Sequence, residues 1–345
     1  MAAMSLRRAT IIDVAAKSGV SKSLVSLALR DPQRVSPESY ELIITAIAEL
    51  DYQPNAAARS LVDQRTNTVG IVVLDLHNPI FAQVLDGLLP VLRQKKMNST
   101  IVTGSAVTEI EISEVSKLQE LRVEGLILLA HRMPSSFITQ VAAGIPTVIV
   151  TRTDIRGRGI STVSNDDIYG AKLAVRHLID LGHRRIAHIT GGANQISLNR
   201  LQGYEEEMSA NGLAEFIQIA EADFTDRGGF LAAQSLLETD AIHTETPTAI
   251  FVANDLSAFG AMAAVVEAGL SIPQDISIIG YDGISLGALK TISLTTISQP
   301  LNAMGEIAAN SLTELISHPN NKPQHIRVEP ELVVRGTTGR VPITK

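Results

Sequence analysis

Residues 10–29 read TIIDVAAKSGVSKSLVSLAL, and residues 53–61 read QPNAAARSL. The first stretch contains the start and end signals of two short helices. Thr10 and Asp13 stand in capping-box register, which predicts that a helix begins here, and Gly19 can end it. This spacing is typical of a helix-turn-helix, and it predicts a small N-terminal domain that reads DNA.

The second helix is predicted to begin at Ser21 and to bury Val25, Ala28 and Leu29 on one face. The other side chains are predicted to point away from that face: Lys22, Ser23, Leu24, Ser26, Leu27 and Arg30. In a major groove, polar side chains can bond base edges or phosphates, and leucines can contact a thymine methyl group. The alternative is that both leucines pack on a third helix beginning near Ser36-Pro37-Glu38, and the sequence leaves this choice open.

Further blocks follow in order along the chain, and with the first stretch they resemble the lactose repressor/galactose repressor family. The ordered series is specific, although no single block is. The blocks include Asn78-Pro-Ile-Phe81, Gly125-Leu-Ile-Leu128, His177 to Ala187, Arg200-Leu-Gln-Gly-Tyr204, Ala253-Asn-Asp255, Gly280-Tyr-Asp282, Leu294 to Pro300 and Glu331 to Thr337.

The resemblance implies an N-terminal all-α helix-turn-helix headpiece at residues 1–53 and a hinge helix with linker at 54–67. In the family, paired hinge helices enter the minor groove and insert a leucine wedge, which implies DNA contacts for Asn55, Ala58 and Leu61. Where the lactose repressor carries a recognition-helix arginine, this chain has Leu27, so the operator sequence cannot be inferred. Contacts with the DNA backbone are expected from Thr10, Ser21, Ser26, Arg30, Arg34 and Tyr52.

The charge distribution argues against DNA binding through the field of the whole molecule. The chain has 345 residues and a formal net charge of −7, yet residues 1–66 carry eight basic against seven acidic side chains. DNA affinity would therefore come from a locally organised headpiece duplicated in a homodimer. No cysteine, apolar leader or membrane-spanning run occurs in the sequence, and we expect a cytoplasmic protein.

Residues 68–345 alternate short apolar strand patterns with helix-length segments, a rhythm typical of parallel sheets covered by helices. The pattern restarts near Asn165, which suggests two similar lobes. The resemblance implies an α/β two-lobed core of the periplasmic-binding-protein-like type, which binds the effector and dimerises. Its predicted N-lobe comprises residues 68–164 and 294–324, and its predicted C-lobe residues 165–293 and 325–345.

Ligands of open α/β sheets bind beyond the carboxyl ends of the strands, and several polar residues stand close to such positions. The resemblance implies that Arg200, Asn254, Asp282 and Gln299 bind the hydroxyls of a sugar-like effector, while Phe81 and Phe224 pack on its ring. Where sugar-binding relatives often carry Asp-Arg, this chain has Thr151-Arg152, so a polyol or a nucleoside is an alternative to a free sugar. No cofactor is expected.

Parts of the sequence also fit two classes of protein other than a DNA-binding repressor. A solute-binding protein would fit residues 68–340 but leaves the headpiece unexplained. A hydrolase is suggested only by Gly283-Ile-Ser285-Leu-Gly287, which matches G-x-S-x-G outside the strand-to-helix turn that such a nucleophile needs. The expected partners are double-stranded operator DNA, a small-molecule effector and a second copy of the chain. Neither a metal nor a membrane is expected among them.

Overall fold

The computed structural model describes residues 9–53, 65–152, 154–238 and 246–341. It divides into two compact units, residues 1–66 and residues 67–345. The predicted hinge contacts Asn55, Ala58 and Leu61 lie outside the described residues.

The described residues of the first unit form three α-helices: α1 (Ile11–Ser18), α2 (Lys22–Arg30) and α3 (Pro37–Glu49). As predicted, Thr10 caps α1 in a capping box with Asp13, and Gly19 ends the helix with a φ of 71°. Ser21 caps α2 by accepting from the Leu24 amide. Apolar side chains from the three helices and the turn between α2 and α3 form one small core: Val14, Val25, Ala28, Val35, Ile43 and Ala46.

The structure favours the second of the two orientations that the sequence leaves open for Leu24 and Leu27. Both side chains are half-buried and pack against the core of the headpiece. Leu29, predicted as a core residue, is also only partly buried. Leu24 and Leu27 are only partly covered, so part of each side chain stays accessible from outside the headpiece.

Within the described part of the second unit, twelve strands form two six-stranded sheets. The first sheet has the order β11-β5-β4-β3-β1-β2, with all neighbours parallel. Its strands are β1 (Thr68–Val73), β2 (Asn98–Thr103), β3 (Gly125–Leu129), β4 (Thr147–Val150), β5 (Ile160–Asn165) and β11 (His325–Val328). The second sheet has the order β12-β10-β9-β8-β6-β7, and only β12 runs antiparallel to its neighbour. Its strands are β6 (Ile186–Ile189), β7 (Gln218–Ala220), β8 (Ala249–Val252), β9 (Ser277–Asp282), β10 (Thr295–Ser298) and β12 (Glu331–Val333).

Eight α-helices among residues 65–152, 154–238 and 246–341 cover the two sheets, and the central strands are buried because helices lie on both faces. The helices are α4 (Pro79–Gln94), α5 (Thr108–Glu120), α6 (Ser135–Ala142), α7 (Asp167–Asp180), α8 (Gln195–Ala210), α9 (Asp226–Leu237), α10 (Asp255–Glu267) and α11 (Leu301–Ser317).

The chain passes between the lobes at places that differ from the predicted limits. Strand β10, predicted in the N-lobe, pairs with β9 in the second sheet, and β11, predicted in the C-lobe, pairs with β5 in the first. The crossings therefore follow Asn165, Ser298 and Val328. A short apolar strand pattern does not specify which sheet receives it, since that depends on partners distant in the sequence.

Helices α4 and α11 approach closely on the first sheet, and two glycines make this possible. A Cβ atom on Gly87 would lie 1.9 Å from the carbonyl oxygen of Asn302, and one on Gly305 would lie 2.0 Å from that of Val84. Neither position can accept a side chain without separating the helices.

Candidate DNA-binding and effector sites

The headpiece exposes a polar surface along α2 and the turn that follows it. Lys22, Ser23 and Arg34 are exposed. Arg30 is also exposed, and its Nη2 donates to Ser26 Oγ at 3.2 Å, which holds the guanidinium along the helix. Cationic and hydroxyl groups on one short helix can bond phosphates or base edges.

Three predicted DNA contacts also have structural roles inside the headpiece. The Thr10 hydroxyl donates to Asp13 Oδ2 at 2.7 Å and thereby helps to begin α1. Ser21 caps α2, and Tyr52 packs half-buried against the headpiece core. These residues are fixed in place before any ligand binds.

The candidate effector site is a buried polar cluster at the carboxyl ends of the second sheet. Its centre is Arg200 on α8, which is 3% exposed. Arg200 Nη2 lies 3.0 Å from Asp167 Oδ1, and Arg200 Nη1 lies 3.4 Å from Asp282 Oδ1. Arg200 also donates to the carbonyl oxygen of Ala253. One cation thus joins the first residue of α7 to the last residue of β9.

Amide side chains support both carboxylates. Gln299 Nε2 donates to Asp282 Oδ1 at 2.7 Å. Asn165 Nδ2 lies 3.3 Å from Asp167 Oδ1 and donates to the Tyr281 hydroxyl at 2.6 Å. Each carboxylate therefore has a charged partner and an amide partner, and the cluster is held rigidly before binding.

Burial and the mutual repulsion of carboxylates set the charge of this cluster. Burial raises the pKa of Asp282 to about 6, although Arg200 and Gln299 oppose the shift. Burial, followed by repulsion from Asp282, raises the pKa of Asp255 to about 8. Burial disfavours the charge on Arg200, but Asp167 and Asp282 raise the pKa of the guanidinium above its usual value. Arg200 therefore stays a cation, and acceptors for hydroxyl groups lie beside it.

Phe224 lies next to this cluster in an uncommon backbone conformation. Its φ is 68°, in the left-handed region, and its side chain is half-buried. The Cζ atom of Arg200 is 5.9 Å from the centroid of the Phe224 ring. The ring packs on the backbone of Gly191, where a Cβ atom would lie 2.2 Å from a ring carbon.

Two residues predicted to contact the effector also have structural roles within their lobes. Asn254 is 1% exposed; its Oδ1 accepts from the Ser257 amide at 3.0 Å, and its Nδ2 donates to the Phe224 carbonyl at 3.0 Å. Phe81 is 3% exposed and belongs to the hydrophobic core of the first lobe.

The first lobe places Thr151 and Arg152 just after β4. Thr151 has a φ of 86°, and Arg152 forms an ion pair with Asp154, with Nη2 to Oδ2 at 2.6 Å. Arg152 Nη1 also donates to the His131 carbonyl at 3.3 Å. The Arg152 guanidinium, which was predicted to lie at the effector site, thus already has hydrogen-bond partners within its own lobe.

Sequence reasoning missed a small polar cavity near the first crossing. Among the described residues, three buried oxygens that border it have no hydrogen-bond partner: Thr151 Oγ1, Ser164 Oγ and Asn165 Oδ1. The cavity holds about 30 Å³, and Asp167 also lines it. Ser164 and Asn165 end a buried strand, so the rule of residues at carboxyl ends of strands could have identified them.

The described residues contain no cluster of three or more His, Asp or Glu side chains that could hold a metal ion. Nor does the described part of the chain contain a helix long and apolar enough to span a membrane.

Comparison with known proteins assigns the family. Residues 10–55 match the model for bacterial regulatory proteins of the lacI family, and residues 175–338 match that of a periplasmic binding protein-like domain. The ribose operon repressor of Haemophilus influenzae is 34% identical over 329 residues, which cover 95% of this chain and 98% of the relative. The chain belongs to the lacI family of bacterial regulatory proteins.

A second relative and two solved structures are similar to this chain as well. The transcriptional repressor PurR of Erwinia tasmaniensis is 34% identical over 336 residues, which cover 95% of this chain and 96% of PurR. A crystal structure of the Lac repressor dimer with operator and an anti-inducer has a TM-score of 0.83 at 27% identity and covers 96% of this chain and 100% of its own. A lacI family regulator from Enterococcus faecium with bound ribose has a TM-score of 0.72 at 26% identity, covering 79% of this chain and 99% of its own.

Membership of the lacI family confirms the predicted headpiece and the predicted two-lobed α/β core. The chain is a DNA-binding regulator of transcription, and its relatives are transcriptional repressors rather than enzymes. The family match at residues 10–55 spans α1, α2 and α3, and the match at 175–338 spans the Arg200 cluster.

Proposed function

We propose that this lacI family member is a homodimeric repressor whose affinity for an operator changes when a free sugar of the pentose class binds between its lobes. The observation that carries the proposal is the buried Arg200 cluster. Asp282 offers carboxylate oxygens and Arg200 offers guanidinium donors side by side, and vicinal hydroxyls of a sugar can bond both.

The relatives support a sugar over other small molecules. The H. influenzae relative is a ribose operon repressor, and the E. faecium structure contains ribose. The cluster also suits an uncharged ligand, because the Arg200 cation already has two carboxylate partners. A phosphorylated sugar would have to compete with them for the guanidinium.

A nucleoside is the second candidate, and Thr151 is the observation that favours it. Thr151 supplies a neutral hydroxyl with no partner among the described side chains, whereas a carboxylate there would be a stronger acceptor for sugar hydroxyls. A ligand with fewer hydroxyls and a larger ring would lose less binding affinity from having a threonine hydroxyl here in place of a carboxylate.

The first test measures ligand binding directly. The purified full-length protein is titrated calorimetrically with D-ribose, cellobiose, adenosine and ribose 5-phosphate. We expect binding of D-ribose and little binding of the phosphate ester. Binding of adenosine alone would reject the sugar in favour of the nucleoside, and binding of ribose 5-phosphate alone would reject an uncharged ligand.

The second test measures DNA binding. A palindromic site is selected from random DNA with the full-length protein, and its affinity is compared with that of a scrambled sequence, with and without the ligand. We expect a dimer of the protein to bind the selected site more tightly than the scrambled sequence. The affinity for the selected site should change when the ligand is present. Equal affinity for both sequences at every salt concentration would contradict sequence-specific binding.

We further propose that the chain has no catalytic role. Ser285 of the G-x-S-x-G match begins an exposed 3₁₀ turn, Ser285–Ala288, three residues after β9. A hydrolase nucleophile needs a tight turn that leads directly from a strand into a helix. An esterase assay on the wild type and on Ser285→Ala should give equal background rates.

A further inference from the structure

The first residues of α10 are bonded to two strained backbone segments at the effector site. Phe224 has a φ of 68° and Asp282 a φ of 116°. A positive φ is uncommon for any residue with a Cβ atom and persists only where surrounding contacts enforce it. Local bonds contribute, since the Thr225 amide donates to Asp223 Oδ1 across Phe224 and Gln299 bonds Asp282. Further contacts with both segments come from two adjacent residues, Asn254 and Asp255.

Asn254 joins the start of α10 to the Phe224 segment. Its Oδ1 accepts from the Ser257 amide at 3.0 Å and caps the helix, while its Nδ2 donates to the Phe224 carbonyl at 3.0 Å. Ser257 Oγ adds a bond to the Thr225 carbonyl at 2.9 Å. The carbonyl of the left-handed residue Phe224 and that of the next residue are thus both bonded to the start of α10.

Asp255 joins the same helix start to the segment after Asp282. Its Oδ2 accepts from the Ile284 amide at 2.9 Å, and its Oδ1 accepts from Thr296 Oγ1 at 2.6 Å. Asp255 is fully buried. Its carboxyl therefore holds the turn that follows Asp282.

We propose that Asn254 and Asp255 are positioning residues: Asn254 holds Phe224, and Asp255 holds Asp282, in the strained conformations that present these two side chains to the effector. This inference rests on the proposed effector site. It gives Asn254 a role through Phe224 in addition to the ligand contact that the resemblance implies, since only one of the two Nδ2 hydrogens is used by the Phe224 carbonyl.

The first experiment needs no ligand. The wild-type chain has no tryptophan, so Phe224→Trp introduces a single fluorescent reporter at the held segment. Adding Asn254→Ser preserves a good helix cap but removes the donor to the carbonyl of residue 224. We expect lower anisotropy and shifted emission from this reporter. Unchanged fluorescence would overturn the role of Asn254.

Asn310→Ser is the matched control in the same background. Asn310 is exposed on α11, and its Nδ2 donates to a backbone carbonyl, that of Glu306, at 3.0 Å. The control loses the same kind of bond far from Phe224 in the sequence, in the other lobe. An equal fluorescence change in the control would show a general loosening and would overturn the specific role.

The second experiment uses calorimetric titration of the full-length protein with D-ribose. Asn254→Ser is expected to weaken binding about tenfold, the loss that corresponds to one net hydrogen bond. In double-mutant cycles, the loss of binding free energy caused by Asn254→Ser should add little to the loss caused by Phe224→Ala. It should add fully to the loss caused by Asp282→Ala. If the losses from Asn254→Ser and Phe224→Ala add fully, Asn254 acts on the ligand only directly and not through Phe224. This result would overturn the positioning role.

Asp255 has its own pair of variants. Asp255→Ala should weaken binding and be non-additive with Asp282→Ala, whereas Asp255→Asn should rescue it, because its Oδ1 can still accept from Ile284 and its amide can donate to Thr296. If Asp255→Ala does not fold, Thr296→Val removes one bond to Asp255 and should give a smaller loss with the same non-additivity. Wild-type affinity in Asp255→Ala, or additivity with Asp282→Ala, would overturn the role of Asp255.

Failure of this proposal can be distinguished from failure of the proposed function. If D-ribose does not bind the wild type, the sugar assignment fails, and the fluorescence experiment still tests whether Asn254 holds Phe224. If D-ribose binds but the fluorescence and the cycles show no coupling, the positioning role alone is overturned.

Discussion

The guanidinium of Arg200 lies flat over the ring of Tyr281, with the Arg200 Cζ atom 3.6 Å from the ring centroid. The ring covers one face of the cation while Asp167 and Asp282 occupy its edge. A buried cation with this much compensation costs little to keep, but removing it leaves two carboxylates without their partner.

The first prediction concerns Arg200→Met. We expect a loss of about 3–5 kcal/mol in the free energy of unfolding near neutral pH, the usual result of leaving buried charge unpaired. The pKa of Asp282 is about 6 in the folded wild type, above its usual value of 3.8, and losing Arg200 should raise it further. A raised carboxyl pKa means that stability is lost as pH rises through that pKa, so the variant should be closer to wild type at pH 5 than at pH 7.5. Urea unfolding at both pH values provides the measurement, and an equal loss at both would contradict the account.

The second prediction concerns His188 on β6, whose imidazole is fully buried between the rings of Tyr204 and Phe251. Nδ1 donates to the Phe251 carbonyl at 3.0 Å, and Nε2 has no partner among the described residues. Burial lowers the pKa of His188 to about 4. The neutral form is thus favoured in the fold, and stability is lost as pH falls below the unfolded pKa near 6.5.

His188→Phe should remove this pH dependence while keeping the aromatic packing. Between pH 7 and pH 4, the stability of the wild type relative to the variant should fall by about 3 kcal/mol, from a shift of about 2.5 pKa units. Thermal or urea unfolding of both proteins across this range provides the measurement. Parallel curves would show that His188 does not titrate in this way.

The third prediction tests the close approach of α4 and α11. In an ordinary helix interior, replacing glycine by alanine stabilises the protein. Gly305→Ala should instead destabilise it by about 1–3 kcal/mol, because the new methyl group would meet backbone atoms of Val84 and Leu88 that cannot move aside. Thermal unfolding is the measurement, and a variant at least as stable as the wild type would contradict this packing.

The fourth prediction concerns Arg30 in the headpiece. If its exposed guanidinium neutralises a phosphate, Arg30→Ala should weaken binding to selected and scrambled DNA alike and reduce the slope of log affinity against log salt by about 1. Electrophoretic shifts over a series of salt concentrations measure both effects. A loss confined to the selected site would instead assign Arg30 to base recognition.

The sequence by itself determined the local structure of this protein. The capping box of Thr10 and Asp13, the glycine at position 19 and the alternation of apolar strands with helices involve residues close together in the chain, and their geometry follows from backbone chemistry. The ordered family blocks likewise pointed to the Arg200 and Asp282 positions.

Only the tertiary structure decided which distant residues meet. Arg200 pairs with Asp167 and Asp282, separated from it by 33 and 82 positions, and no local pattern specifies such partners. The assignment of β10 and β11 to their sheets, and the hydrogen bond from Asn254 to the Phe224 carbonyl, likewise depend on segments remote in the sequence. Local propensity fixes an element, whereas burial and hydrogen-bond satisfaction over the whole fold fix which of its side chains remain available to a ligand.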